Sequence, residues 1–327
     1  MKCRKLGRTG IDVSVVCLGC MRLIGPDQEE EHSIATIHAS LDAGVNFFDT
    51  ARGYQDGENE RLLGRVLAPV RDEVVIATKL NDLDPDAIYV QCEESLQRLQ
   101  TEYIDLYQIH WPVAGADLGA ALQALDDLQQ QGKIRAIGVS NFGVSYMQDL
   151  LAQPVRVEAN QLNYGLIWRP IEQEVQPVCI ENDWSILAYS PLNIGLLTGK
   201  FQSADELPQE RAQPRLFSSS RPGARHTEPG CERELFECLA QIGEIAESVG
   251  QPMASVGCAW VLAQEGVASI ITGARTPAQA SENAGVADLA LSSTVLDRLA
   301  SVSEPIKEYA GLNCDQWSSV SRMEKPA

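Results

Sequence analysis

Residues 104–140 read IDLYQIHWPVAGADLGAALQALDDLQQQGKIRAIGVS, and this stretch holds one complete strand–helix–strand unit. Ile104–Ile109 and Ile134–Ser140 are short, apolar and rich in Ile and Val, as strands buried on both faces should be. Between them Leu118, Leu122 and Leu125 recur at helical spacing, and Gly132 stands where a helix would end. The same alternation runs outward in both directions. Further strands are expected at Val15–Leu18, Asn46–Asp49, Val74–Thr78, Ala159–Gln161, Ser185–Tyr189 and Ala268–Thr272. Ile34, Ile37 and Leu41 form another helical stripe, as do Ile88, Cys92, Leu96 and Leu99. Pro85, Pro252 and Pro277 stand where helices could begin. Eight strands, each followed by a helix, point to an α/β fold, a closed (β/α)8 TIM barrel. A doubly wound sheet is the alternative. Its Gly-x-Gly-x-x-Gly turn is missing, since no two of the 25 glycines are separated by a single residue.

The 327 residues are expected to form one barrel domain over 1–327. The polar stretch at about 202–230, rich in Pro, Ser and Arg, reads as a long loop. A helix over Ser292–Ser301 follows the last barrel helix, and residues 304–327 have little periodicity and read as a tail over the barrel mouth.

The net charge is -19. Such a chain repels phosphate backbones and acidic lipid surfaces, so neither nucleic acid nor membrane is an expected partner. An anionic ligand would need a local basic pocket. No apolar run approaches a membrane span, and the basic start Met1–Lys5 is not followed by a signal-peptide core. Nine cysteines, an odd number, suit free thiols in a reducing cytoplasm. Cys17 and Cys20 have CxxC spacing, but there is no second such pair and only four histidines, so no metal site is expected. Cys17 reads as filling for a strand.

In a barrel of this kind, chemistry gathers at the C-terminal ends of the strands. Asp49, Lys79, His110, Ser140 with Asn141, Gln161 and Tyr189 all fall there, with Tyr54 shortly after Asp49. A lysine beside a tyrosine is expected to lower the phenol's pKa, and a carboxylate beside the lysine to keep it charged. A neutral histidine can hydrogen-bond a carbonyl oxygen. Such a group suits an oxygen that gains negative charge as hydride arrives.

With these residues in view, longer motifs stand out. Gly44–Ala51 (GVNFFDTA) with Tyr54, then Glu60 and Leu63-Gly64, resembles the first signature of the aldo-keto reductase family. Ser95–Leu99 (SLQRL) through Tyr103–Pro112 (YIDLYQIHWP) resembles the second signature, and Gly132–Phe142 (GKIRAIGVSNF) resembles the central block. Tyr189-Ser190-Pro191-Leu192, leading to Gly195–Lys200 (GLLTGK), resembles the cofactor loop of the bacterial and channel-β-subunit-like branch. Gly273-Ala274-Arg275-Thr276 with Gln279, Glu282 and Asn283 resembles the adenine end.

The resemblance implies an NADP(H)-dependent reduction of a small-molecule carbonyl substrate. It makes Tyr54 the proton donor, tuned by Lys79 and Asp49, with His110 orienting the carbonyl. Tyr189 would stack on nicotinamide, whose amide Ser140, Asn141 and Gln161 would hold. Ser190, Pro191, Leu192, Gly195 and Lys200 would embrace the pyrophosphate, and Cys20 and Met21 would also line the cofactor. Gly273 and Arg275 would meet the 2′-phosphate end, and Gln279, Glu282 and Asn283 the adenosine. Independently of family, an arginine in a turn after the last strand suits a phosphate. The chain departs from the family pattern at Gln55, Asn59, Cys20, Met21 and Arg52, which leaves substrate choice open. Arg22, Arg52 and Trp111 are the candidate substrate contacts. The two arginines could recognise an anionic substrate or pair with surface acids.

Two other readings compete. One is a cofactor-sensing regulatory subunit with slow turnover, though the barrel begins almost at Met1. The other is a lyase using Lys79 as a Schiff base. The tyrosine and the cofactor-like segments favour reduction. The sequence leaves the natural substrate and the oligomeric state open.

Overall fold

The computed structural model describes residues 1–25 and 28–326, so Ala327 of the expected tail lies outside the described residues. An antiparallel hairpin opens the chain, β1 (Cys3–Lys5) with β2 (Asp12–Ser14). Then follow β3 (Val16–Gly19), α1 (Glu30–Asp42), β4 (Phe47–Asp49), α2 (Glu58–Leu67), β5 (Val75–Leu80), α3 (Pro85–Leu99), β6 (Ile104–Ile109) and α4 (Leu118–Gln130). The second half runs β7 (Ile134–Ser140), α5 (Val144–Leu151), β8 (Ala159–Asn163), α6 (Val175–Glu181), β9 (Ser185–Tyr189), α7 (Glu232–Ser248), α8 (Met253–Leu262), β10 (Val267–Gly273), α9 (Pro277–Gly285) and α10 (Ser293–Ala310).

Strands β3 to β10 close into a parallel barrel in the order β10-β3-β4-β5-β6-β7-β8-β9. This is the expected (β/α)8 barrel, with every expected strand present to within a few residues at its ends. The expected helix starts also hold, with Pro85 and Pro277 opening α3 and α9. Asp84 caps α3 by accepting from the N–H groups of Asp86 and Ala87.

Two apolar layers hold the barrel. Inside it, Cys17, Phe47, Val75, Ala77, Leu106, Ala136, Ala159, Leu187 and Ala268 form one cluster, which Leu6, Ile11 and Val13 of the hairpin join. The hairpin sits at the strand starts, where Arg4 binds the carbonyl of Val267, Gly7 N–H donates to Ser185 Oγ and Arg8 N–H to Glu158. It therefore closes the N-terminal end and leaves the opposite end for chemistry. Outside the barrel, the stripes Ile88, Cys92, Leu96, Leu99 and Leu118, Leu122, Leu125 are buried against the strands. Each such side chain contributes about 1.5–3 kcal/mol by leaving water.

Three segments differ from expectation. The hairpin leaves no mark in the sequence, because its strands are three residues long and the residues of β1 are all exposed and polar or small. The helix expected at Ser292–Ser301 runs on through Pro305 to Ala310, so residues 304–310 are helix rather than tail. Its apolar side, with Leu299, Ile306 and Ala310 buried, outweighs the hydrogen bond lost at proline. The stretch 202–230 holds two short helical turns, Ala204–Glu206 and Gln209–Arg211, and is tied down by arginines. Arg215 pairs with Glu228 at 2.7 Å and donates to carbonyls of Ala310, Asn313 and Asp315, while Arg221 pairs with Glu232 at 2.8 Å.

Candidate active site

The C-terminal mouth brings the strand-end residues together. Asp49 ends β4, Lys79 lies one residue from the end of β5, and His110 follows β6. The Lys79 ammonium is wholly buried and donates to Asp49 Oδ1 and to the Thr50 carbonyl, each at 2.7 Å. The same ammonium lies 5.3 Å from the centre of the Tyr54 ring. Tyr54 and His110 meet edge to face, their ring centres 6.0 Å apart. Asp49 Oδ2 accepts from Gln161 Nε2 at 2.7 Å, so that end of the Gln161 amide is engaged, while its oxygen has no hydrogen bond among the described residues.

Electrostatics sort these groups. Burial alone would lower the Lys79 pKa, but the charges of Asp49 and Tyr54 and the bond to Asp49 outweigh it, so the pKa is raised and the ammonium stays charged. For Tyr54 the expected direction is reversed. Lys79 does pull the phenol down, but burial raises it more, and the net shift is upward. The phenol therefore keeps its proton at neutral pH. Burial, then the Lys79 charge, lowers the His110 pKa to about 3, so the imidazole is neutral.

The Tyr54 turn is held in unusual backbone. Gln55 (φ 49°), Asp56 (φ 52°) and Gly57 (φ 87°) are all left-handed. Gly57 lies flat against Arg98, where a Cβ would come within 2.6 Å of the arginine Cδ. Arg98 is fixed by buried Glu60 at 2.6 Å, and Glu60 also accepts from Thr78 at 2.6 Å. This buried pair braces the turn from below.

A second group forms beside the first. Tyr189 donates its hydroxyl to Asn141 Oδ1 at 2.8 Å, and Asn141 Nδ2 donates to Ser140 Oγ at 3.0 Å and to the His110 carbonyl at 3.1 Å. Ser140 Oγ donates to the Gln161 carbonyl at 3.1 Å. Asn141 adopts φ 62°, a conformation asparagine tolerates.

Beyond Tyr189 the chain makes a tightly turning loop, with positive φ at Ser190, Asn193, Ile194 and Gly195. Pro191 is buried and Leu192 half-buried within it. Such a run of backbone can aim N–H groups at an anion. Asn193 is fully buried, yet neither atom of its amide has a partner among the described residues. Arg211, from the long loop, brings Nη1 to 3.2 Å from where a Gly195 Cβ would lie. Across the mouth, the Arg275 N–H donates to Gln279 Oε1 at 2.8 Å, and Asn283 donates to the Gly273 carbonyl. Glu282 is exposed on the same helix, α9. Lys200, Arg211 and Arg275 form no ion pair among the described residues, although the chain has an excess of acid. The neighbouring Arg215 and Arg221 are paired. An amide and cations without a partner among the described residues, Lys200 and Arg211 by the loop and Arg275 across the mouth, fit a phosphate-bearing ligand.

The remaining candidates are placed as follows. Cys20 is buried at the foot of the site and Met21 is half exposed. Burial raises both the Cys17 and Cys20 thiols, so they are inert, and no cluster of potential metal ligands occurs among the described residues. Arg52 is engaged by Glu94 at 2.5 Å and by Gln91, so its charge is already met. Arg22 is exposed and unpaired among the described residues. Trp111 lies under Arg322 of the tail, whose guanidinium is 4.2 Å from the ring centre. Buried Asp315 holds Arg322 through two bonds, at 2.7 and 2.9 Å.

Asn81, Arg211 and Arg322 were not read from the sequence. Asn81 stands two residues beyond Lys79 and a wider strand-end window would have found it. Arg211 and Arg322 lie in segments without periodicity, and only the folded chain brings them to the mouth.

The description "Aldo/keto reductase family" belongs to the family model that matches residues 15–304. The chain is similar to an NADH-specific methylglyoxal reductase of Escherichia coli, 29% identical over 94% of this chain and 100% of that protein. Among solved structures, a glycerol dehydrogenase of Gluconobacter oxydans is 30% identical, with a TM-score of 0.80 over 92% of this chain and 94% of that one. An aldo/keto reductase of Klebsiella pneumoniae in complex with NADP and acetate is 26% identical, with a TM-score of 0.73 over 92% and 94%.

Proposed function

Since the chain belongs to the aldo/keto reductase family of carbonyl oxidoreductases, we propose that it is an NADP(H)-dependent reductase of small aldehydes or ketones with Tyr54 as proton donor. The observation that carries this reading is the buried Lys79 ammonium between Asp49 and the Tyr54 ring. The bound dinucleotide would supply hydride to the carbonyl carbon. Tyr54 enters protonated, because burial holds its phenol up, and donates to the carbonyl oxygen as negative charge gathers there. Lys79 then faces the phenolate, and Asp49 keeps Lys79 charged and in place. Neutral His110 donates a hydrogen bond to the carbonyl oxygen and fixes its angle of approach. Trp111, under Arg322, would form a wall for the substrate.

For the cofactor, Tyr189 with Ser140, Asn141 and Gln161 would receive the nicotinamide end. The loop Ser190–Gly195, with Lys200 and Arg211, would take the pyrophosphate. Arg275 supports NADP(H) over NAD(H), because a guanidinium at the adenine end suits a 2′-phosphate. The NADH specificity of the Escherichia coli relative makes this the point to test first.

The test is fluorescence titration with NADPH and NADH, followed by a carbonyl panel that includes methylglyoxal and glyceraldehyde, with cofactor oxidation as the readout. NADPH should bind more tightly, and Arg275→Ala should remove most of that preference. Tyr54→Phe should bind cofactor normally and lose roughly 10²–10⁴-fold in turnover. Full turnover in Tyr54→Phe, or cofactor binding with no turnover of any carbonyl, would overturn the proposal.

A further inference from the structure

Asn81 lies just past the end of β5, and its side-chain oxygen is 3.0 Å from His110 Nδ1. Its backbone N–H donates to Gln91 Oε1 at 3.1 Å. Gln91 is buried and fixed in turn by donating to the carbonyls of Asp82 and Ala87. The Asn81 amide is thus presented to the imidazole from an anchored backbone.

An amide oxygen can only accept, so with Oδ1 facing it Nδ1 carries the ring proton, and the neutral ring has a lone pair at Nε2. A half-turn of the amide puts Nδ2 in the same place. Nδ2 then donates to Nδ1, and the ring proton belongs on Nε2. Nδ2 faces Gly53 and has no hydrogen bond among the described residues, so the rotation breaks none of their bonds at that end.

We propose that Asn81 is a positioning residue that sets the tautomer of His110 according to the ligand. With a carbonyl in the site, Nδ2 donates to Nδ1, and Nε2–H donates to the carbonyl oxygen. With the alcohol product in the site, Oδ1 accepts from Nδ1–H, and Nε2 accepts the product hydroxyl. The exchange breaks no substrate bond. One ring nitrogen gives a proton to solvent and the other takes one up. The inference rests on the reading of His110 as the residue that orients the carbonyl.

The charges around the ring favour a neutral imidazole that needs a neutral partner. Lys79 faces it from β5 and Tyr54 from the turn after β4, with Asp49 behind Lys79. On its own strand end, Trp111 carries Arg322, whose charge Asp315 meets. Burial and Lys79 disfavour the imidazolium, leaving the pKa at about 3. A carboxylate in place of Asn81 would reverse that balance, while an amide of either orientation preserves it.

The experiment compares Asn81→Asp and Asn81→Leu with the wild type. Asn81→Asp can only accept. Its imidazolium keeps Nε2–H at low pH, but the neutral ring is locked with its proton on Nδ1. Reduction by this variant should therefore fall by about tenfold as pH rises through roughly 5 to 9, beyond any change in the wild type. Asn81→Leu should lose about tenfold in kcat/KM at every pH, with unchanged NADPH affinity. Nitrogen-15 shifts of His110 in the NADP-loaded protein report the tautomer without turnover, so they decide the matter even if no carbonyl is reduced. A wild-type pH profile in Asn81→Asp, kcat/KM within about twofold of wild type in Asn81→Leu, or His110 shifts unchanged by Asn81→Leu would overturn the proposal.

Discussion

Gln55 shows how a single residue can carry strain next to the proposed proton donor. It sits at φ 49°, ψ 48°, beside Asp56 in the same region. An ordinary side chain there costs about 1–2 kcal/mol, because Cβ crowds the following carbonyl. Glycine would relieve that cost, though it loses more freedom on folding. Gln55→Gly is therefore expected to stabilise the protein by about 0.5–1 kcal/mol in denaturant unfolding. A destabilised Gln55→Gly would show that the Gln55 side chain holds the turn by contacts that outweigh its strain. The polar residues at the strand ends were legible in the sequence, because short apolar runs mark the strands and the next polar residue marks the mouth. The direction of the Tyr54 shift was not legible. It depends on how much water the folded site excludes, and a list of neighbouring residue types omits that.

At the scale of elements, the long loop and the tail form one clasp. Glu228 accepts from Ser319 Oγ at 2.7 Å and pairs with Arg215 at 2.7 Å. Burial pushes its carboxyl up, but those hydrogen bonds outweigh it and hold the pKa down at about 2. A carboxylate lowered in the folded state contributes stability that is full above its ordinary pKa of about 4.5 and is lost as pH falls through the folded value. Nicking of 202–230 by an acid-active protease should thus rise steeply between about pH 4.5 and 2. Glu228→Gln should shrink that pH step, leaving the part that belongs to Glu232 on Arg221, and cost about 1–3 kcal/mol at neutral pH. A step of unchanged size in Glu228→Gln would place its origin elsewhere. The tail is pinned at its far end by Glu324, which accepts from the Val144 and Ser145 N–H groups at the start of α5, each at 2.8 Å. A carboxylate there answers the unmatched N–H groups of a helix start. None of this was readable beforehand, since a clasp between distant polar segments leaves no periodic mark.

For the whole molecule, the cysteines give a count to check. All nine are free, and eight of them are buried while Cys3 is exposed. A thiol reagent should modify one cysteine in the native protein and nine after unfolding. More than one fast-reacting thiol in the native state would contradict the packing described here. The barrel itself was legible because eight strands and their helices repeat one pattern. The hairpin beneath it was not, being too short to show any. The closing contact of that barrel joins β3, near the start of the chain, to β10, near its end. During synthesis, β3 leaves the ribosome long before its partner exists. At roughly 5–20 residues per second the edge of β3 waits ~10–50 s for Gly273 to be made. Throughout that interval the nascent chain presents an unpaired edge to its surroundings, so a neighbouring polysome or a chaperone can reach it before its own last strand does.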